Sequence, residues 1–382
     1  MSSELAGLER RYRRLKRLKD YEEAARASVA LHEVWEGGGR RQETIRLRVE
    51  LISATGEAGD PPPVTRLLQP RGIALRFYLI AVFEAQCRLA SGESWTGERP
   101  LRGPQGPNGF GWTNFVAVDG AYSSKTGEYL GDTKNNRHQE TCRLRQLQGA
   151  LRTLEDIDAA GHRALVQVPR KGGRIRDYGG FQLMNERGCG SLHEPQLYTV
   201  PTRRDEVIGV PVDFFLHGWV HVLTAAEMIT WLALRRLSQS YPHSHAQKGV
   251  YLYAKRREGE FALLRDSYED SCNTLLSLGL IRYAVPPTPP SGFSQPSGGG
   301  GFVGPEGLSA TTREIDFSRV EAASTSAYRR GPDYYQVIDK GLEEDALEKM
   351  MKELVHRIHQ VRTRQKNREQ QLHGPKGPQE GV

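Results

Sequence analysis

The chain has 382 residues, 37% hydrophobic and 26% charged, with a formal net charge of +7. This length predicts two globular modules, and the modest apolar share assigns the remainder to tails and linkers. No run approaches the roughly 20 apolar residues that cross a bilayer, the opening MSSELAGLERRYRRLKRLK lacks the apolar stretch of a secretory signal, and the four cysteines, Cys87, Cys142, Cys189 and Cys272, form no CxxC pair, so the expectation is a cytoplasmic protein with free, mostly buried thiols.

In chain order, residues 1–36 read as a basic helix. It runs from Leu5 to about Trp35 with Leu8, Leu15, Leu18, Ala25 and Val29 as a loose apolar stripe, and Gly37–Gly39 end it. Residues 37–63 should be a short alternating strand (Ile45, Leu47, Val49, Leu51) and a linker closing on three prolines. A first module is expected over 64–187. It comprises a core helix Ile73–Ala90, a Gly/Pro-rich loop Gly97–Gly111, a helix from about Arg137 to Ile157, and a hairpin from Ala164 through RKGGR to FQLM. Residues 188–211 read as a second linker.

A second module is expected over 212–324. Thr224 as N-cap and Glu227 three residues on form a capping box that starts a helix through Leu237. A further helix covers about Leu264–Leu278, Gly279 caps it, and Leu280–Tyr283 begin a strand. The Pro/Gly/Ser stretch 286–304 should be a disordered loop, with Arg313–Phe317 as the returning strand. Over 325–372 the chain should end in an amphipathic basic helix, roughly Leu342–Gln371. Its seam of Leu347, Met351, Leu354, Ile358 and Val361 spans two heptads and offers a coiled-coil contact for a homodimer. Residues 373–382 form a disordered tail.

Basic residues are concentrated rather than spread. Glu9–Lys19 holds seven bases and one acid, Met351–Lys376 seven bases and two acids, and Arg137–Arg176 nine bases and four acids. Such concentration is the footprint of a polyanionic partner. The strongest local pattern is FALLRDSYEDSCNTLLSLGLIRY, Phe261–Tyr283, in which a helix buries a leucine face, stops at a glycine and passes into a strand. It resembles the recognition helix and wing entry of winged helix-turn-helix DNA-binding proteins. The first module repeats that grammar with Leu144, Leu147, Leu151 and Leu154, then Gly161 and Ala164–Val166.

The resemblance implies an α+β fold, mostly α with small β-hairpin wings: two winged-helix domains flanked by long N- and C-terminal helices. It places double-stranded DNA against Arg137, Arg143, Arg145, Gln146, Gln148 and Arg152 on the first module's helix, where Arg and Gln suit guanine and adenine edges. Arg170, Lys171 and Arg174 at the hairpin tip would meet phosphates or the minor groove. In the second module the implied contacts are Lys255, Arg256, Arg257, Arg265, Ser267, Tyr268 and Ser271. Phe261–Val285 holds two bases and three acids, so its electrostatics oppose DNA contact.

Catalytic and metal chemistry finds no pattern. The close histidines His217/His221, His243/His245 and His356/His359, and Cys189 with His193, never assemble zinc-finger spacing. There is no P-loop, GxSxG elbow or HExxH helix, and Tyr334–Tyr335 read as strand or packing residues. The expectation is a non-enzyme without cofactor or membrane partner: a sequence-specific, nucleoid-associated DNA binder regulating transcription. A replication initiator or partition factor of a plasmid or mobile element resembles the same tandem arrangement, and a protein-interaction scaffold is the third reading.

Overall fold

The computed structural model describes residues 3–54, 62–68, 72–103, 109–118, 121–123, 128–130, 136–156, 164–187, 196–284 and 333–372. Two helices open the chain, α1 (Ser3–Asp20) and α2 (Glu23–Gly37). The single helix expected over 1–36 is broken at Glu22, whose φ of 54° is left-handed. The break rotates the buried stripe. Ala25 and Val29 of the expected stripe are exposed, while Ala24, Ala27, Ala30, Leu31 and Val34 face the core.

Strand β1 (Thr44–Arg48) follows, then α3 (Ala74–Arg88), which is buried on every side. Each large apolar side chain so buried contributes about 1.5–3 kcal/mol. The polar residues of α3 are compensated. Gln86 bonds the β1 backbone at Arg46 N (2.9 Å) and O (2.6 Å), and Glu84 accepts from Arg88 (2.7 Å) and Arg99 (3.0 Å). A short pair β2 (Ala121–Ser123) and β3 (Glu128–Leu130) precedes α4 (Asn136–Glu155).

The next hairpin is built from β4 (Val166–Gln167), β5 (Arg170–Lys171), β6 (Ile175–Arg176) and β7 (Gln182–Leu183). β4 pairs with β7 and β5 with β6. At its tip Gly172 and Gly173 have φ of 58° and 73°, a turn that side chains beyond glycine rarely adopt. Residues 196–200, expected within a linker, lie along the hairpin through isolated bridges, with Tyr198 and Val200 buried. Met184 bridges to Leu197, and Thr199 to Ser94. Strand β8 (Val207–Pro211) pairs antiparallel with β1, Thr44 opposite Pro211.

Two short helices, α5 (Asp213–Leu216) and α6 (Trp219–Val222), lead to α7 (Ala225–Ser240), which starts on the expected capping box of Thr224 and Glu227. α8 (Pro242–Lys248), α9 (Ala254–Gly259) and α10 (Arg265–Ser277) follow. Gly279, at φ 65°, ends α10 and admits β9 (Ile281–Tyr283). The described partner of β9 is β10 (Tyr335–Val337), beyond the 212–324 limit expected for this module. Arg313–Phe317 and 286–304 lie outside the described residues. Val250 bridges to Tyr335 on the far side of β10, making a third strand. Gly249, at φ 76°, permits this: an added Cβ would lie 2.8 Å from the Tyr335 carbonyl oxygen.

The chain closes with α11 (Ala346–Leu372). Its buried seam of Met350, Leu354, Ile358 and Val361 is covered by α1 of the same chain, where Leu5 joins Ile358 and Val361. Arg362 pairs with Glu9 at 2.7 Å alongside. Leu354, Ile358 and Val361 of the expected seam are thus covered within the chain, while Leu347 and Met351 are half-buried and Met350 is the buried methionine. One continuous apolar core runs from Leu15 to Leu354 through both modules. Arg11 grips Glu227 with two bonds of 2.6 and 2.7 Å, and the Trp219 indole donates to Leu342 O at 2.9 Å. No helix among the described residues is long and apolar enough to cross a membrane.

Candidate nucleic-acid interface

α4 is amphipathic, so its turn of 3.6 residues decides which bases face solvent. Leu147, Ala150, Leu151 and Leu154 are buried, while Arg145 and Arg152 are exposed with half-buried Gln148 between them. Arg143 falls on the inward side and is a correction to the expected reading face. It pairs with Glu23 of α2 at 3.1 Å, its side chain only 13% exposed. Glu23 also holds Arg26 (2.9 Å), whose guanidinium caps the carbonyls of Asn114 and Val116. Gln146 is half-buried. Arg137 belongs to the first turn of α4, and its side chain lies outside the described residues.

The hairpin beside α4 is clamped by one carboxylate. Glu155 accepts from Val168 N (3.2 Å) with one oxygen and from the Arg176 guanidinium (2.7 Å) with the other. Behind the clamp, Phe181 packs among Phe77, Trp95 and Trp112, with ring centroids 5.4–5.9 Å from its own. Arg170, Lys171 and Arg174 are exposed at the tip. Lys171 pairs with Asp177 at 2.9 Å. Among the described residues, no carboxylate pairs with Arg145, Arg152, Arg170 or Arg174. Their charge is therefore available to a polyanion.

The second module differs. Arg257 is buried and donates to Leu263 O at 3.2 Å. Arg256 is half-buried, bound to Glu260 and lying 5.8 Å over the Tyr241 ring. Tyr268 is buried, and the buried Ser271 hydroxyl donates to the Ser267 carbonyl at 2.6 Å. These four side chains serve the fold rather than an outer face, and Ser267 itself is half-buried. Lys255 and Arg265 are exposed, but Arg265 is paired with Glu269 at 2.7 Å. The outward face of α10 is thus Arg265, Asp266, Glu269, Asp270 and Asn273, a predominantly acidic surface.

Several of the groups screened for chemistry are built into the fold, while His243, His356 and His359 are exposed. His245, in α8, accepts from Val337 N at 2.8 Å. Burial in an apolar setting, reinforced by Arg76, Arg26 and Arg14, lowers His221 to about 3. Its Nε2 has no hydrogen-bond partner. Cys87 and Cys272 are unbridged, and burial pushes both thiols up to about 12. Tyr335 packs 5.5 Å from Tyr283 in the β9–β10 pair.

Two residues that matter to this face were not singled out from the sequence. Glu155 is an ordinary helix-end acid until the hairpin folds against it. Arg176 looks like one more basic residue, yet it points inward. The signal available was their position either side of the hairpin, with opposite charge.

No family model matches the chain, and neither a curated protein nor a solved structure was found to match it.

Proposed function

We propose that this chain binds double-stranded DNA in a sequence-specific manner through two fused winged-helix modules and regulates transcription. α4 is the reading helix and the β4–β7 hairpin its wing. The observation that carries this reading is the line of Arg145, Gln148 and Arg152 beside a stiffly held hairpin bearing Arg170 and Arg174, all four arginines free of carboxylate partners among the described residues. Arg and Gln read base edges bidentately, and basic hairpin tips contact phosphates or the minor groove.

The element order supports the same assignment. In the second module α7 and α8, a bridge at Val250, two helices (α9, α10) and the β9–β10 pair follow one another, which is the helix, strand, helix, helix, wing order with α8 inserted. In the first, α3 is followed by a bridge at Ser94, the β2–β3 pair, α4 and the hairpin. The protein acts at the nucleoid in this reading, without a catalytic centre.

The acidic face of α10 favours a second role for the second module: it docks a protein rather than DNA. A replication initiator of a mobile element would use the same first module on an array of repeats. Selection of bound duplexes from a random pool, followed by footprinting, tests the assignment. A single protected motif supports the regulator, a repeated array supports the initiator, and equal, salt-insensitive affinity for all duplexes refutes DNA binding.

A further inference from the structure

An aliphatic side chain sits among the cations of the hairpin tip on the candidate DNA face. Ile175 is 72% exposed, directly after Arg174 and across the strand pair from Lys171. A lone exposed apolar residue is ordinary. Three features set this one apart.

The first is direction. Successive strand residues point to opposite faces. Arg176 points at Glu155 on α4, so Ile175 points away from α4 together with Lys171 and Asp177, which are 2.9 Å apart. The second is stiffness. Glu155 holds both strands of the hairpin at Val168 and Arg176, and Phe181 anchors its root among buried rings. Isoleucine is itself restricted about its first side-chain torsion. The third is company. Arg170, opposite Arg176, and Arg174, next to Ile175, belong to the other face of this narrow strand pair, and neither has a carboxylate partner among the described residues; the two-glycine turn keeps the tip slender enough for both faces to enter one groove, charge on one side and Ile175 on the other.

We infer that Ile175 is a wedge that enters the minor groove between two base pairs and bends the DNA, with Arg170 and Arg174 holding the flanking phosphates. This rests on the DNA-binding reading above. Apolar side chains carried into the minor groove on cationic arms unstack a base step and kink the duplex by about 20–90°. A flexible step such as TA or CA at the wing position would then be selected without any hydrogen bond to its bases. The site of insertion lies beyond the reach of α4, so the bend adds a preference that Arg145 and Gln148 do not encode.

The test uses the full chain and a short duplex carrying a pool-selected site. Its ends are labelled for energy transfer, and 2-aminopurine is placed at the wing step. Wild type and Ile175→Ala are compared at saturating protein. The expected result is a bend and a rise in 2-aminopurine fluorescence with wild type. Ile175→Ala should lose at least half of both while its affinity falls no more than about tenfold, since the phosphate contacts persist. Ile175→Leu should restore the bend. Because the side chain is exposed, the alanine variant should melt with wild type. Salt-sensitive binding without a bend, or with a bend that Ile175→Ala retains, overturns the wedge alone. The absence of any salt-sensitive DNA binding overturns the DNA reading and the wedge with it.

Discussion

α4 and α10 each bury an apolar face against the core, yet their outward surfaces carry opposite charge. α4 presents Arg145 and Arg152, whereas α10 presents Asp266, Glu269 and Asp270 with its one arginine already paired. The buried halves are alike in kind, because apolar side chains, Leu147, Leu151 and Leu154 in α4 and Tyr268, Cys272 and Leu275 in α10, satisfy packing in both. The exposed halves are not constrained by packing and are where function separates. Likeness of pattern in Phe261–Tyr283 therefore reports the core, and says little about whether that face meets DNA.

The largest effect should come from the frame that both regions share. Arg48 is buried and bonded to Glu186 (2.7 Å), Asp205 (3.1 Å) and Thr199 (3.1 Å). Arg48→Ala strands a buried carboxylate and should cost about 3–5 kcal/mol. Because the core is continuous, urea should unfold Trp95 and Trp112 of the first module together with Trp219 and Trp231 of the second. Two separated fluorescence transitions would show that the regions are independent.

Next is the pH response at the junction. His221 titrates near its ordinary 6.5 when unfolded and near 3 when folded. The unfolded chain binds the proton more readily, so the contribution is complete above about pH 6.5. It is lost at up to about 1.4 kcal/mol per pH unit as pH falls toward 3. Thermal melts of wild type against His221→Gln should converge as the pH is lowered through that window. Parallel curves throughout would remove His221 from the account.

The comparison itself is broken or sharpened by paired surface variants. Arg145→Ala should weaken binding to a selected site by about 1–3 kcal/mol and relax one base position. Asn273→Ala on α10 should leave binding unchanged. An α10 variant that costs more than Arg145→Ala would reverse the assignment of the two faces.

The smallest difference is within the wing. Arg170→Ala should lower affinity for all sequences and reduce the salt slope by about one. Lys171→Ala should reduce it by less, because Asp177 already neutralises that ammonium in part. Equal slopes for the two variants would mean that the Lys171–Asp177 pair opens on DNA.

Much of the local structure was legible because its causes are local. The capping box at Thr224, the stop at Gly279, the largely apolar α3 and the glycine tip of the hairpin each follow from a few adjacent residues. The inward turn of Arg143 was also within reach. It shares a helical stripe with Leu147, Ala150 and Leu154, although a list of nearby bases hides that periodicity. The break at Glu22 was not legible, since no glycine or proline marks it and its left-handed backbone is held by packing on either side.

By itself the sequence determined the caps of α7 and α10, the burial of α3, and that cations gather around α4 and its hairpin. Tertiary structure alone decided which cations remain available. Arg143, Arg256 and Arg257 are drawn into the fold by Glu23, Glu260 and the Leu263 carbonyl, whereas Arg145, Arg152, Arg170 and Arg174 are left outside. It also decided that α1 covers the α11 seam, and that β1 pairs with β8 and β9 with β10. The reason is separation along the chain. A turn or cap is fixed by neighbours a few residues apart, as are the contacts of Arg256 and Arg257 themselves, whereas the Arg143–Glu23 pair, 120 residues apart, and the β1–β8 pairing depend on which surfaces the whole core brings together.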